Sequence, residues 1–195
     1  MLTVVWDVDD VLNDLMQQWF KHCWLIEHPD CQVAYADLSE NPPHHALGVT
    51  LDEYLASLDA FRRTERAINM QPNPRVLAWF RTEGERFRHI AITARPLESA
   101  PDVAHWVMRH FGAWVRCFGV VPTRIDGDVP TYDGNKGEYL KWLGRGDIFV
   151  DDAAENCLRA ESLGLKTLLY AQPWNNSTLA TDALLRKLSD LAEES

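Results

Sequence analysis

Residues 1–14 read MLTVVWDVDDVLND. Thr3 to Trp6 are β-branched or aromatic, the composition of a buried strand, and the run ends on Asp7, Asp9 and Asp10. Clustered carboxylates repel one another and are costly to desolvate. Acids crowded at the end of an apolar strand therefore call for a compensating cation.

Working outward, short apolar runs recur at His89–Ile92, Arg116–Val121, Asp147–Val150 and Lys166–Tyr170. They lack alternation, as strands covered on both faces do. Helical stretches separate them. Asn73–Gly84 has Pro74 at its start and Gly84 as a stop, and Ser99–Phe111 carries Val103, Trp106, Val107 and His110 at helical spacing before Gly112. Asn135–Leu143, Ala153–Leu163 and Thr181–Leu191 complete the series. Strands alternating with helices predict an α/β fold, a doubly wound parallel sheet.

The segment between Leu15 and Gln71 departs from this alternation and has no convincing strand. Leu15–Ile26 reads as a helix with Leu15, Trp19, Cys23 and Ile26 on one stripe. Thr50–Leu58 reads as another, with Thr50 as N-cap and Glu53 completing a capping box. Asn41–His45 is a loop. The expected division is a core of residues 1–14 and 72–195, with residues 15–71 a small helical cap inserted after the first strand.

The chain has 195 residues and a net charge of −10. No basic run suited to a nucleic-acid duplex is present, no apolar stretch is long enough for a membrane span, and no signal peptide is evident. A cytoplasmic location is expected. Cys23, Cys31, Cys117 and Cys157 form no CxxC pair and no zinc spacing, and are expected to be reduced thiols.

Ligands bind beyond the carboxyl ends of strands in an open parallel sheet. Asp7 and Asp9 follow the first strand, Thr93 the second and Asp151 and Asp152 the fourth, while Lys136 opens the helix before the fourth. Asp7, Asp9 and Asp152 are hard oxygen donors of the kind Mg²⁺ prefers, with waters and a phosphate completing the octahedron. Lys136 and the metal would neutralise the acids and receive a phosphoryl group. Thr93 would add a hydroxyl, and it and Ala94 nearby backbone N–H groups.

In order and placement these features resemble the motifs of the haloacid dehalogenase superfamily of phosphotransferases: VVWDVDDVL the first, IAIT the second, Lys136 the third and FVDD the fourth. The resemblance spans nearly the whole chain. It implies that Asp7 attacks phosphorus to give an aspartyl-phosphate. Asp9 would protonate the leaving oxygen and then activate water, its main-chain carbonyl being the usual metal ligand. Asp152 would bind Mg²⁺ and Asp151 would hold a metal-bound water or Lys136, although adjacency leaves open which of the two touches the metal. An acid at Asp9 points to a phosphatase or phosphomutase, and a small cap in this position would select the leaving group. A non-catalytic nucleotide- or metabolite-binding protein, and phosphoryl transfer to an acceptor other than water, are the competing readings.

Within the superfamily the chain is most similar to the 5'(3')-deoxyribonucleotidases and their bacterial relatives, through Val11, Asn13-Asp14 and QPWN at Gln172–Asn175. A small phosphorylated metabolite, a nucleotide among them, is the expected partner. Asp10 departs from the usual Gly. Trp19, Phe20, Trp24, Tyr35, Tyr54 and Phe61 offer aromatics for base stacking, with Trp19 expected in the core and Phe20 nearer the rim. Arg95 would either reach phosphate or pair with an acid and brace its loop. Trp174 would line the pocket or pack. His44 and His45 lack an evident third metal ligand and read as a solvated loop, and Asp126 and Asp128 read as a turn.

Overall fold

The computed structural model describes residues 1–123 and 129–193, so the expected turn at Asp126 and Asp128 lies outside the described residues. Five parallel strands form one sheet in the order β3-β2-β1-β4-β5. They are β1 (Thr3–Asp7), β2 (Arg88–Arg95), β3 (Val115–Pro122), β4 (Ile148–Asp151) and β5 (Lys166–Leu169). The acidic strand β1 is central, pairing with β2 from Thr3↔Arg88 to Asp7↔Ile92 and with β4 from Val4↔Ile148 to Trp6↔Val150. That register aligns the ends of all three strands on one rim.

Helices cover both faces. The α1 helix (Leu15–Trp19) runs through a π-helical turn (Phe20–Trp24) into α2 (Leu25–Glu27), and is followed by α3 (Leu51–Arg62) and α4 (Glu65–Ile68). Then come α5 (Pro74–Glu83), α6 (Ala100–Phe111), α7 (Lys136–Leu143), α8 (Ala154–Ser162) and α9 (Thr181–Glu193). Trp6, Phe80, Trp106, Phe111 and Leu184 belong to the larger apolar core, which extends into the helices before α5. Val5, Ile92, Leu140, Phe149 and Ala160 form a smaller one under α7 and α8. Gly137 permits that second layer, since a Cβ there would stand 3.0 Å from Cβ of Arg159. Among the described residues no helix is long and apolar enough to cross a membrane.

Two expectations need correction. β2 does not end at Ile92: it continues to Arg95, because Val120, Val121 and Pro122 of β3 go on pairing with Thr93, Ala94 and Arg95. Thr93 is therefore a strand residue. The single helix expected over Leu15–Ile26 is interrupted by the π turn, whose wider pitch breaks the expected stripe. Trp19 and Trp24, five positions apart, both point inward with Phe20, while Ile26 is 70% exposed and Cys23 only half-buried. The capping box at Thr50 is present, with Glu53 N–H donating to Thr50 Oγ1 (3.2 Å) and Thr50 N–H to Glu53 Oε2 (2.8 Å). All four cysteines are free.

The segment from residue 15 to 71 leaves and rejoins the sheet layer at one point. Asn73 N–H donates to Leu12 O (2.8 Å), and Asn73 Nδ2 to Asp14 Oδ1 (3.3 Å) and Tyr170 Oη (3.0 Å).

Candidate active site

Above the strand ends lies a cavity of about 340 Å³, with Asp7, Thr93, Lys136 and Asp152 in its floor and Tyr54, Leu58 and Arg62 of α3 in its roof. Asp7, Asp151 and Asp152 bring carboxylate oxygens within 4.8 Å of one another, a spacing that a shared cation could span. Asp9 does not join that group through its side chain.

Each acid has a distinct environment. Asp7 Oδ1 accepts the Val8 N–H (2.7 Å) and faces Lys136 Nζ (2.7 Å), which leaves Oδ2 with no protein donor among the described residues. Asp151 is saturated: Oδ1 accepts from Ala153 N–H (2.8 Å) and Asn156 Nδ2 (3.1 Å), and Oδ2 from Lys136 (2.7 Å). Asp152 Oδ2 accepts the Trp174 indole N–H (2.7 Å), and Oδ1 has no protein donor among the described residues. Burial, and then the neighbouring acids, push Asp7 well above the usual carboxylate range despite Lys136. Burial, Asp151 and Asp10 push Asp152 up to about 8. Burial opposes the charge on Lys136, but Asp151 and Asp7 outweigh it and hold the ammonium protonated.

Asp9 behaves differently. Arg95 Nε donates to its Oδ2 (2.6 Å), the second Arg95 nitrogen contacts Oδ1, Asn13 Nδ2 donates to Oδ1 (3.1 Å), and Arg62 stands 3.9 Å away. Burial alone would raise this carboxyl; Arg95 and then Arg62 bring it down to about 2. Of the two roles open to Arg95, pairing with an acid is the one observed. Thr93 Oγ1 is buried in the cavity floor with no hydrogen-bond partner among the described residues, and Arg62 Nε is likewise unpartnered among them. Ala94 also lines the cavity, whereas Phe20 does not: it packs against Trp19 and Tyr35. Of the six aromatics offered for stacking, Tyr54 alone reaches the cavity wall.

Asp10 adopts φ 62°, the left-handed conformation that glycine favours and that Asp tolerates. Its Oδ1 accepts the Met16 N–H (2.9 Å), starting α1. The QPWN element braces this turn from across the sheet: Gln172 Nε2 donates to Asp10 O (2.7 Å), and Asn175 Nδ2 to Asp152 O (2.7 Å). Trp174 thus holds an acid rather than lining the cavity. Sequence reasoning missed Arg62 and Asn13 as partners of Asp9; Arg62 lies beyond the helix expected over Thr50–Leu58, in a helix that carries other charges, and no local pattern marks it. It also missed Glu40, whose carboxylate joins His44 and His45 in a second group of metal-capable donors, correcting the view that those histidines lack a third partner.

No family model and no curated protein sequence matches the chain. Solved structures do. A haloacid dehalogenase-like family hydrolase from Streptococcus pneumoniae aligns at TM-score 0.59 and 14% identity over 100% of this chain and 99% of that one. The HAD-hydrolase YfnB from Bacillus subtilis, bound to magnesium, aligns at 0.59 and 12% identity, covering 98% of each. CbbY from Rhodobacter sphaeroides, in complex with xylulose 1,5-bisphosphate, aligns at 0.52 and 13% identity over 95% and 96% of the two chains. The chain has the haloacid dehalogenase-like hydrolase fold. Nothing in these structures favours the nucleotidase-like branch over the superfamily at large.

Proposed function

We propose that the chain is a cation-dependent phosphomonoesterase acting through a phosphorylated Asp7, with residues 15–71 serving as the cap over a small phosphorylated metabolite. The observation that carries this reading is a convergence at one cavity. Two carboxylates with free oxygens (Asp7 and Asp152), a buried lysine and an unpartnered threonine hydroxyl meet at the strand ends. The donor set also fits a divalent ion. Asp7, Asp9, Asp10, Asp151 and Asp152 cluster against Lys136 and Arg95, with Arg62 shared between Asp9 and Asp59, so the acids outnumber the cations. Asp7 and Asp152 would hold Mg²⁺, with Asp151 saturated behind them and fixing Lys136. When bound, the ion would neutralise the acids and the incoming phosphoryl oxygens.

In this mechanism an oxygen of Asp7 attacks phosphorus and the bond to the leaving oxygen breaks. Thr93 Oγ1 and Lys136 bind the phosphoryl oxygens. Asp9 gives its proton to the leaving oxygen, then takes one from the water that cleaves the acyl-phosphate, releasing phosphate and restoring Asp7. In the resting arrangement Asp9 is an anion gripped by Arg95, so its acid role requires the carboxyl to leave that grip when substrate enters and to take up a proton from solvent before the leaving oxygen departs. The apolar roof of Leu15, Met16, Leu55 and Leu58 suits a leaving group with a nonpolar face.

Purified protein is expected to release free phosphate from p-nitrophenyl phosphate with Mg²⁺, with no added acceptor, and to lose this in EDTA. Asp7→Asn should cost at least about 10³-fold in kcat; wild-type turnover by that variant would remove the nucleophile assignment. A panel of phosphomonoesters including deoxynucleoside monophosphates would then identify the leaving group. A nucleotidase should show a kcat/KM for nucleotides well above that for sugar phosphates.

A further inference from the structure

The loop after Leu38 runs Ser39, Glu40, Asn41, Pro42, Pro43, His44, His45. It brings donor atoms of Glu40, His44 and His45 within 4.8 Å of one another. These residues take no part in the phosphoryl chemistry proposed above.

Their arrangement resembles a prepared ligand set. Glu40 Oε1 is fixed by the backbone N–H groups of His45 (3.0 Å) and Ala46 (3.1 Å), which leaves Oε2 to face His45 Nδ1 at 3.1 Å. The two carboxylate oxygens thus divide their duties, one anchoring the loop and one presented outward. His44 Nδ1 lies 3.3 Å from Pro42 O. A donated N–H there fixes the ring tautomer and leaves Nε2 as the free lone pair, the outer support that metal-bound imidazoles commonly have. The His44 and His45 rings lie close together, centroids 3.9 Å apart and tilted by 35°, and each offers a nitrogen within 4.8 Å of the other's and of the Glu40 carboxylate. Two prolines precede them and limit the conformational entropy to be lost on binding.

From this constellation we propose a second metal site, Glu40–His44–His45, that takes a borderline divalent ion such as Zn²⁺. Two imidazoles and one carboxylate suit Zn²⁺, Ni²⁺ or Cu²⁺ and suit Mg²⁺ poorly. Donors of a tetrahedral zinc sit about 2.0–2.1 Å from the ion, so neighbouring donors are roughly 3.4 Å apart. The Glu40–His45 separation, 3.1 Å, is within a few tenths of an ångström of that value, with the ion replacing the shared proton, and His44, within 4.8 Å of both, has to close by at most about 1.4 Å. The remaining position would be left to water. Asn41 and Pro42, between these ligands, line the catalytic cavity, so occupancy would fix one wall of that cavity.

The test is a calorimetric titration of the full chain with Zn²⁺ in millimolar Mg²⁺, which keeps the acids of β1 and β4 occupied. Wild type is expected to bind one zinc, weakened at least tenfold by His44→Ala, by His45→Ala and by Glu40→Gln. With Co²⁺ in place of zinc, a visible d–d band should appear in wild type and disappear in the folded His45→Gln variant. The band reports coordination directly, and thermal melts of each variant confirm that its fold is intact. No zinc binding by wild type under these conditions, or undiminished binding by the His44→Ala/His45→Ala double variant, would overturn the proposal. Neither result bears on whether Asp7 is a nucleophile.

Discussion

Asp10 shows how a single position joins conformation to chemistry. A carboxylate at φ 62° carries backbone strain and, being buried, a charge that its surroundings resist; Asp9 worsens this and the Met16 N–H relieves it. Asp10→Asn keeps the tolerance for left-handed backbone and the acceptor for Met16 while removing the charge. It is expected to be neutral or to stabilise. Asp10→Ala loses both, and about 2–3 kcal/mol should be lost in chemical denaturation. Lys136 is a harsher case. Lys136→Met leaves Asp7 and Asp151 buried without their counter-charge, and a cost of about 3–5 kcal/mol in EDTA is expected. Asp7, Lys136 and Asp152 were legible as candidates because each stands at a strand end or helix start, where an α/β sheet gathers its ligands; Thr93 was picked out on the same ground, although β2 runs on past it to Arg95. Arg62 was not legible, and QPWN was legible as an element but not in what Gln172 and Trp174 hold, because these contacts join segments distant in the chain and depend on side-chain direction rather than local pattern.

The strands and helices were legible from apolar runs and caps, and the capping box at Thr50 was read correctly down to its partner. Its loss can be weighed. Thr50→Ala should cost about 1 kcal/mol, seen as an earlier urea midpoint, and should loosen the helix whose last residue, Arg62, faces Asp9. The π turn after Trp19 was not legible, because a period of 3.6 was imposed on a segment whose buried aromatics follow a wider one. A different tie links β1 to β2. Trp6 Nε1 donates to His89 Nδ1 (3.0 Å), and His89 Nε2 reaches Gly84 O (2.7 Å), an arrangement that needs the neutral ring. Burial lowers His89 from 6.5 to about 4, against the hydrogen bond to Gly84. The fold therefore favours the uncharged form. This contribution is complete above the unfolded value and is lost as pH falls through the window from 6.5 towards 4. Relative to His89→Leu, which cannot titrate, wild type should lose about 2 kcal/mol between pH 7.5 and pH 4.5. A stability difference that stays flat across this range would mean that the ring titrates alike in the folded and unfolded chain and that burial does not disfavour its charge.

For the whole molecule the decisive quantity is the charge balance at the sheet's rim. Clustered acids that outnumber their cations there leave Asp152 pushed up to about 8 by burial, Asp151 and Asp10. The crowded acids therefore carry an electrostatic cost, met in part by protonation, that a divalent ion bound as proposed would relieve. Stability and cation binding are then linked. At a Mg²⁺ concentration of 100 Kd the folded state gains about 2.7 kcal/mol, which for a chain of this length corresponds to a Tm increase of roughly 5–10 °C. Asp152→Asn separates the two sides of this linkage. Asparagine still accepts the Trp174 indole N–H through its Oδ1, so the packing of the last loop is retained while one crowded charge is removed. In EDTA the variant should melt at or above the wild-type temperature; in saturating Mg²⁺ it should melt below it, because its own gain is largely lost. Crossing melting curves are the signature of an acid kept for an ion rather than for the fold. An equal Mg²⁺ shift in both proteins would mean that the ion does not use Asp152.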